Sequence, residues 1–349
     1  NEGSIFKIMP DGTGYSDLFD FSATGYGSGP DGSLYYDGTY LYGTTEYGGV
    51  NNDGVVFKIK TDGTGYSKLL DFAGTTNGNY PFGALISDGT YLYGMTNAGG
   101  SGNLGTLYKI KKDGTAYAKL VDFNGTTSGA NPLGALYFDG TYLYGMTELG
   151  GALNIGTVFK LLPDGSGYTD LFDFNGGNGR EPMGGLISDG TYLYGMTNIG
   201  GVNDDGVVFK IRKDGTGYVH LADFNNAGNG ANPHGDLYFD GSTFYGTTSV
   251  GGANSMGTVF KFTSSSTGIE ELQDHPESLS VYPNPATNQI QVQLKSEQDW
   301  KSLQITTMLG QEVMTGVFQQ GKASMDISHL PNGTYLIKAG PFVRKIIKQ

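Results

Sequence analysis

Short apolar runs, four to six residues long and each bounded by Gly, Asp or Asn, recur along residues 1–262. Four kinds follow one another in a fixed order, typified by residues 83–87 (a), 91–96 (b), 55–59 (c) and 68–72 (d). All are rich in Leu, Ile, Val, Phe and Tyr. Runs this short predict strands, because a helix needs about ten residues or more to bury a face. Runs a and b are joined by Asp-Gly (Asp88-Gly89, Asp139-Gly140, Asp189-Gly190), a two-residue hairpin signature. Runs c and d are joined by a second tight turn opening at Asp62, Asp113, Asp164 or Asp214. The connections after b (97–104) and after d (73–82) are long.

The start of run c recurs at Gly3, Gly54, Gly105, Gly156, Gly206 and Gly257, in steps of 51, 51, 51, 50 and 51 residues. Four antiparallel strands per unit at a fixed period predict an all-β fold, a β-propeller of about five four-stranded blades. An all-β solenoid is the alternative, although a shorter period would suit it better. Five a, b and d runs stand against six c runs. The ring is therefore expected to close by joining the first c–d pair (5–21) to the last a–b pair (236–248), or to derive from a larger parent ring.

In an up-and-down blade the tight turns share one face and the long loops the other, and binding surfaces sit where the loops are. Two sets of positions vary inside this constant frame. The residue between Pro and Gly at the entrance to run a is Asp31, Phe82, Leu133, Met183 and His234 in turn. Strand a is innermost in a propeller, so these five are expected to ring the central opening. The residue after run b is Glu46, Asn97, Glu148, Asn198 and Ser249, a second, polar ring expected beside the first. Arg180 and Glu181 break the pattern of their loop and join the candidate ligand-binding set.

Composition sharpens this picture. Gly makes up 60 of 349 residues, far above the roughly 7% of ordinary proteins, and it falls at fixed turn positions. The net charge of −13 repels phosphate backbones and argues against nucleic-acid partners. The absence of Cys removes disulfides, zinc thiolates and cysteine nucleophiles. No apolar run is long enough to predict a membrane-spanning helix. The opening Asn1-Glu2-Gly3 reads as the inside of a repeat, so a processed or truncated chain is expected.

From Thr263 the pattern stops. Residues 263–278 read as a linker, and 279–349 as a small Ig-like β-sandwich with alternating runs at 290–294, 303–307, 323–327 and 335–339. This segment resembles the type A C-terminal sorting domain of the type IX secretion system of Bacteroidota-like bacteria. The resemblance is carried by Pro283-Asn284-Pro285, by Gly310 after Leu309, by Leu330-Pro331-Asn332-Gly333-Thr334-Tyr335, and by the closing Lys345-Ile346-Ile347-Lys348. Thr306-Thr307-Met308 departs from the aromatic and Asp usual in that family. The resemblance implies the type IX machinery as a partner, export across the outer membrane, and release or surface anchoring. It also implies an N-terminal secretion signal that this sequence does not show. Residues 1–262 resemble GloVer-type tandem repeats through their GTVFK, Asp-Gly-Thr-Gly-Tyr, Leu-x-Asp-Phe and LYGMTxxGG elements, a resemblance that brings no defined activity.

No nucleophile or phosphate-loop motif is present, and His220, His234, His275 and His329 lack metal-ligand spacing. The clusters 51–53 and 203–205 could offer oxygens to Ca²⁺, but turn-forming Asx chemistry accounts for them, so no cofactor is expected. The Lys of each c run (Lys7, Lys58, Lys109, Lys160, Lys210, Lys261) and the Asp ending each d run (Asp20, Asp71, Asp122, Asp173, Asp223) repeat in every unit. They are read as architecture, as inter-strand ion pairs. The function expected is that of a secreted or cell-surface binding and adhesion module for carbohydrate or a surface partner, with loop aromatics Tyr26, Tyr47 and Tyr80. A glycan-active enzyme using a carboxylate pair among Glu46, Glu148, Glu181, Asp31 and Asp236, and a purely structural surface protein, are the alternatives.

Overall fold

The structure, a computed structural model, describes residues 2–22, 25–263, 270–271, 279–294, 301–307, 312–339 and 342–349. It divides into two compact units, one of 1–6 with 17–271 and the other of 7–16 with 272–349. The expected linker 263–278 lies mostly outside the described residues, as do His275 and Gly310.

The first unit is built from successive antiparallel sheets in the order a-b-c-d. The first is Tyr35–Tyr36, Tyr40–Thr45, Val55–Lys60 and Ser67–Asp71. Three more follow with the same order, ending in Ala118–Asp122, Thr169–Asp173 and Val219–Asp223. The fifth comprises Tyr238–Phe239, Thr243–Val250, Val259–Thr263 and Glu270–Glu271, with Ala231–Pro233 added alongside Thr243–Val250. The ring closure expected from the sequence is not the pairing observed. The last a–b pair keeps its own c strand, Val259–Thr263, while Ser4–Lys7 and Ser16–Asp20 form a separate two-stranded sheet that packs Ile5 and Phe21 against Val55, Phe57 and Ile59.

Both faces of the c strand are buried in the first four sheets, which is why these runs read as nearly continuous apolar sequence. At the seam between the third and fourth sheets, Tyr144, Met146, Val158 and Phe174 meet Leu186, Leu193, Phe209 and Ile211 of the next. The same residue types fill the other seams. Within a sheet, the c-strand aromatic crosses the b-strand glycine. Gly145 pairs with Phe159 in register, and a methyl group on Gly145 would lie 2.5 Å from the Phe159 ring.

Each a–b turn is closed by its Asp. Asp139 accepts from the backbone N–H groups of Thr141 and Tyr142 and from the Tyr144 hydroxyl. Burial alone would raise the pKa of Asp139, but these hydrogen bonds and Lys213 outweigh it, so the carboxyl sits below its ordinary value. Lys213 of the following sheet's c–d turn pairs with Asp139 at 3.3 Å. Lys112 pairs with Asp37 in the same way at 3.7 Å, which places both kinds of tight turn at one end of the sheets.

The repeated Lys and Asp fall at opposite ends of their c–d hairpins in the first four sheets, so the register does not set them opposite each other. The register sets Lys58 opposite Ser67 and Asp71 opposite Val55, at opposite ends of the hairpin. Lys58 instead lies 5.0 Å from the Tyr40 ring centroid and donates to the Lys112 carbonyl of the next sheet. Lys109 and Lys160 act alike. Asp71 accepts from Val50 N–H in the loop after strand b and pairs with Lys68 on its own strand at 2.8 Å.

The second unit contains a three-stranded sheet (Leu279–Tyr282, Gln289–Leu294, Lys322–Asp326) and a four-stranded sheet (Glu312–Val317, Ser302–Thr307, Gly333–Ala339, Phe342–Lys348). Both contribute to one core that includes Ile290, Val292, Met325, Ile305, Ile337 and Ile346. The motif residues are fastened together here. Asn284 donates its amide to the Lys345 carbonyl and accepts from Ile347 N–H, and the Tyr335 hydroxyl donates to the Pro331 carbonyl.

Candidate binding site

The two long connections of each repeat lie side by side. Ser28 bridges to Tyr47, Asn79 to Ala98, Ala130 to Leu149, and Arg180 to Ile199; Ala231 pairs with Val250. The loops are drawn together over small residues: a methyl group on Gly78 would lie 2.2 Å from Thr96 Oγ1, a hydroxyl that donates to the Ala98 carbonyl.

Each d–a connection then delivers its Pro-x-Gly segment to a shared cavity of about 600 Å³. Asp31, Phe82, Leu133, Met183 and His234, the five entrance positions singled out in the sequence, all line it. Glycine follows each of them because the chains crowd at this point. A methyl group on Gly83 would lie 2.5 Å from the Gly134 carbonyl oxygen, and one on Gly184 would lie 2.4 Å from that of Gly235. Strand a is two residues long, Ile86–Ser87 in the second sheet, where the pattern predicted five.

The lining is divided by polarity. Phe82, Leu133 and Met183 are half-buried and form an apolar arc, whereas Asp31, His234 and Asp236 are exposed and form a polar one. Asp236 accepts from Gly185 N–H across the seam. It lies outside the entrance ring read from the sequence. The signal was the position after the entrance glycine, which is small in four repeats (Ser33, Ala84, Ala135, Gly185) and acidic in the fifth.

The second ring does not line the cavity. Its residues sit beside the loops, where Glu46, Asn97, Glu148 and Asn198 donate their N–H groups to Gly29, Tyr80, Asn131 and Glu181. The Ser249 hydroxyl donates to the Asn232 carbonyl, and the Asn198 amide to that of Pro233. Glu46 reaches the edge of the site. Burial, together with the neighbouring Asp31 carboxylate, raises its pKa, while a hydrogen bond from Tyr47 opposes the rise. Arg180 is also outside the cavity, held by Asp204 at 3.0 and 2.8 Å. Glu181 occupies the positive-φ position held elsewhere by Tyr80, Asn131 and Asn232, so it fits the frame rather than breaking it. Asn51 and Asn203 donate to the Phe72 and Phe224 carbonyls, and Asn52 and Asp204 accept from Gly48 and Gly200, the turn chemistry read from the sequence. Among the loop aromatics, Tyr47 packs edge-on against Tyr80 at 5.4 Å, and Tyr26 against Tyr66 at 5.0 Å.

Glu148 gives this rim a pH dependence. Burial, and then the charge of Glu181, push its pKa up. An acid whose folded-state pKa exceeds its unfolded value binds its proton more tightly when folded, so its ionisation costs stability as pH rises through that interval. Glu148→Gln is expected to raise Tm by about 1–3 °C at pH 7 and to leave it unchanged at pH 3.5. Calorimetry at the two pH values checks this; an equal gain at both would reject the electrostatic account.

The Gloeobacter/Verrucomicrobia repeat family matches over residues 1–148 and again over 137–295, and the secretion system C-terminal sorting domain over 280–349. No curated protein matches the chain. Among solved structures, the nidogen/laminin complex is similar at a TM-score of 0.50 and 15% identity, over 74% of this chain and 82% of that one. A putative 6-phosphogluconolactonase from Bacteroides uniformis gives 0.51 and 15%, over 93% and 95%. A puromycin-hydrolysing peptidase from Mycobacterium tuberculosis gives 0.52 and 12%, over 86% of this chain and 49% of the peptidase. At these identities the likeness is one of fold, a propeller-like all-β arrangement. The sorting domain marks the protein for secretion through the type IX machinery, with attachment at the outer-membrane surface as one destination. Among the described residues, no helix is long and apolar enough to cross a membrane. The chain is an exported member of the Gloeobacter/Verrucomicrobia repeat family.

Proposed function

We propose that the protein is an extracellular binding module whose ligand seats in the cavity at the strand-a entrances, and that carbohydrate is its ligand class. The observation that carries this reading is the convergence on one cavity of the five positions that vary within a constant frame. A concave site with an apolar wall and a few polar groups is the general form of a ligand pocket. Ionised carboxylates accept hydrogen bonds without donating them, so Asp31 and Asp236 suit a hydroxyl-rich ligand lying against Phe82. In this reading the repeats form a propeller of five complete blades, the tail is an Ig-like sandwich, and the module binds without catalysis.

Affinity electrophoresis against a panel of polysaccharides, with reducing-end release measured in parallel, tests the proposal. Retention without product is expected, weakened at least tenfold by Phe82→Ala combined with His234→Ala at unchanged Tm. Product release would assign a glycan-active enzyme instead. Neither retention nor product would leave a structural surface protein.

A further inference from the structure

A belt of hydrogen bonds runs along the rim, joining the residue after strand b to the residue that precedes Pro in the adjoining d–a connections. Asn97 N–H donates to the Tyr80 carbonyl at 2.9 Å. The Asn131 side-chain amide donates to the Asn97 carbonyl at 3.0 Å, and Glu148 N–H to the Asn131 carbonyl at 3.3 Å. Further round, Asn198 N–H donates to the Glu181 carbonyl at 3.1 Å. The Asn232 side-chain amide then donates to the Asn198 carbonyl at 3.1 Å, and the Ser249 hydroxyl to that of Asn232 at 2.8 Å. Between Tyr80 and Ser249 one link is missing: among the described residues, no hydrogen bond joins Glu148 to Glu181.

The break has a chemical cause. Asn131 and Asn232 close their links because an amide donates, whereas Glu181, in the same place, carries a carboxylate that only accepts. Glu148 and Glu181 are both half-buried. Burial, and then the charge of Glu181, hold the Glu148 carboxyl above its ordinary pKa. Arg180 is the cation at this link. It comes within 3.8 Å of Glu181 while its guanidinium is held by Asp204, and it favours the ionised form of Glu181. Asn131, Asn198 and the loop 149–156 bring no titratable group. A single proton held by the pair therefore belongs on Glu148. Leu133 and Met183 stand two residues beyond Asn131 and Glu181 and line the cavity, so the missing link lies behind the apolar arc.

We propose that Glu148 and Glu181 form a pH-sensitive latch in this belt. With one proton between them, the Glu148 carboxyl donates to the Glu181 carboxylate and closes the rim. When Glu148 gives that proton to water, two carboxylates face each other and the link opens. An acid that binds its proton more tightly in the folded chain keeps its contribution on the acid side and loses it as pH rises through the raised pKa. The wall at Leu133 and Met183 is thus held in acid and slackened at neutral pH, whatever the cavity binds.

Hydrogen exchange of the full-length chain at about pH 4 and about pH 7.5, expressed as protection factors to remove the intrinsic pH dependence, tests the latch. Protection at the Glu148 and Asn198 amides is expected to fall about tenfold as pH rises. The Asn97 amide, whose carbonyl partner and flanking link carry no acid, should keep its protection. Glu148→Gln supplies a donor at every pH and should hold the Asn198 amide at its acid value throughout. Glu148→Ala should leave that amide at the low value at both pH values. Constant protection in the unsubstituted chain, an equal fall at Asn97, or a pH dependence that persists in both variants would overturn the proposal. Recovery of protection by millimolar Ca²⁺ at about pH 7.5 would assign the pair to a cation and overturn it equally.

Discussion

Gly134→Ala is expected to lower Tm by about 6–12 °C, while Gly235→Ala leaves it within about 1 °C. Both glycines occupy the same place in the repeat, and neither has a positive φ, so the contrast isolates sterics from backbone preference. A methyl group on Gly134 would lie 2.1 Å from the Gly184 carbonyl oxygen, well inside any tolerated approach. Neither backbone can withdraw without disturbing a seam on its other side. Overpacking of this kind costs roughly 3 kcal/mol, which for a domain of this size converts to the stated shift. Gly235 has no such neighbour. Differential scanning calorimetry of the two variants decides the matter: equal losses would mean that the entrance glycines are kept for another reason, and equal tolerance would mean that the sheets are not in backbone contact there.

Phe159→Ala should cost about 3–5 kcal/mol, the other large effect expected from a single substitution. Phe159 is fully buried, edge-on to Phe123 of the preceding sheet at 5.6 Å and stacked on Tyr168 at 5.3 Å. Its ring covers Gly145 on the paired strand. The loss should therefore reach the seam with the second sheet as well as the hairpin carrying Tyr168, whose hydroxyl donates to the Ser128 carbonyl. Hydrogen exchange should show faster opening at both places. Faster exchange confined to the third sheet would indicate that the seams are energetically separable.

The sequence was most informative where local chemistry and period coincide. Asp-Gly turns and alternating apolar runs marked out strands b and c, and the Pro-x-Gly frame located all five entrance residues before any geometry was known. It was least informative where partners come from another repeat. Lys58 and Asp71 looked like a pair because both recur, but pairing depends on register, and the register sets them at opposite ends of their hairpin. The second polar ring was read as lying beside the first, but what holds it there was not legible. Glu148 and Asn198 follow strand b, but their N–H groups are spent on the adjoining loop, which holds them beside the cavity rather than in it. Asp236 was legible as a candidate carboxylate, but its bond across a seam to Gly185 is a relation that no linear spacing encodes.

The clasp in the second unit has a consequence for export. Asn284 grips Lys345 and Ile347, and Ala286 N–H donates to the Ile347 carbonyl, so two segments some sixty residues apart in sequence form one continuous surface. That surface does not exist on a nascent or unfolded tail. Machinery that docked on it would be inspecting the finished state of its cargo, and would turn away misfolded copies without a separate proofreading step.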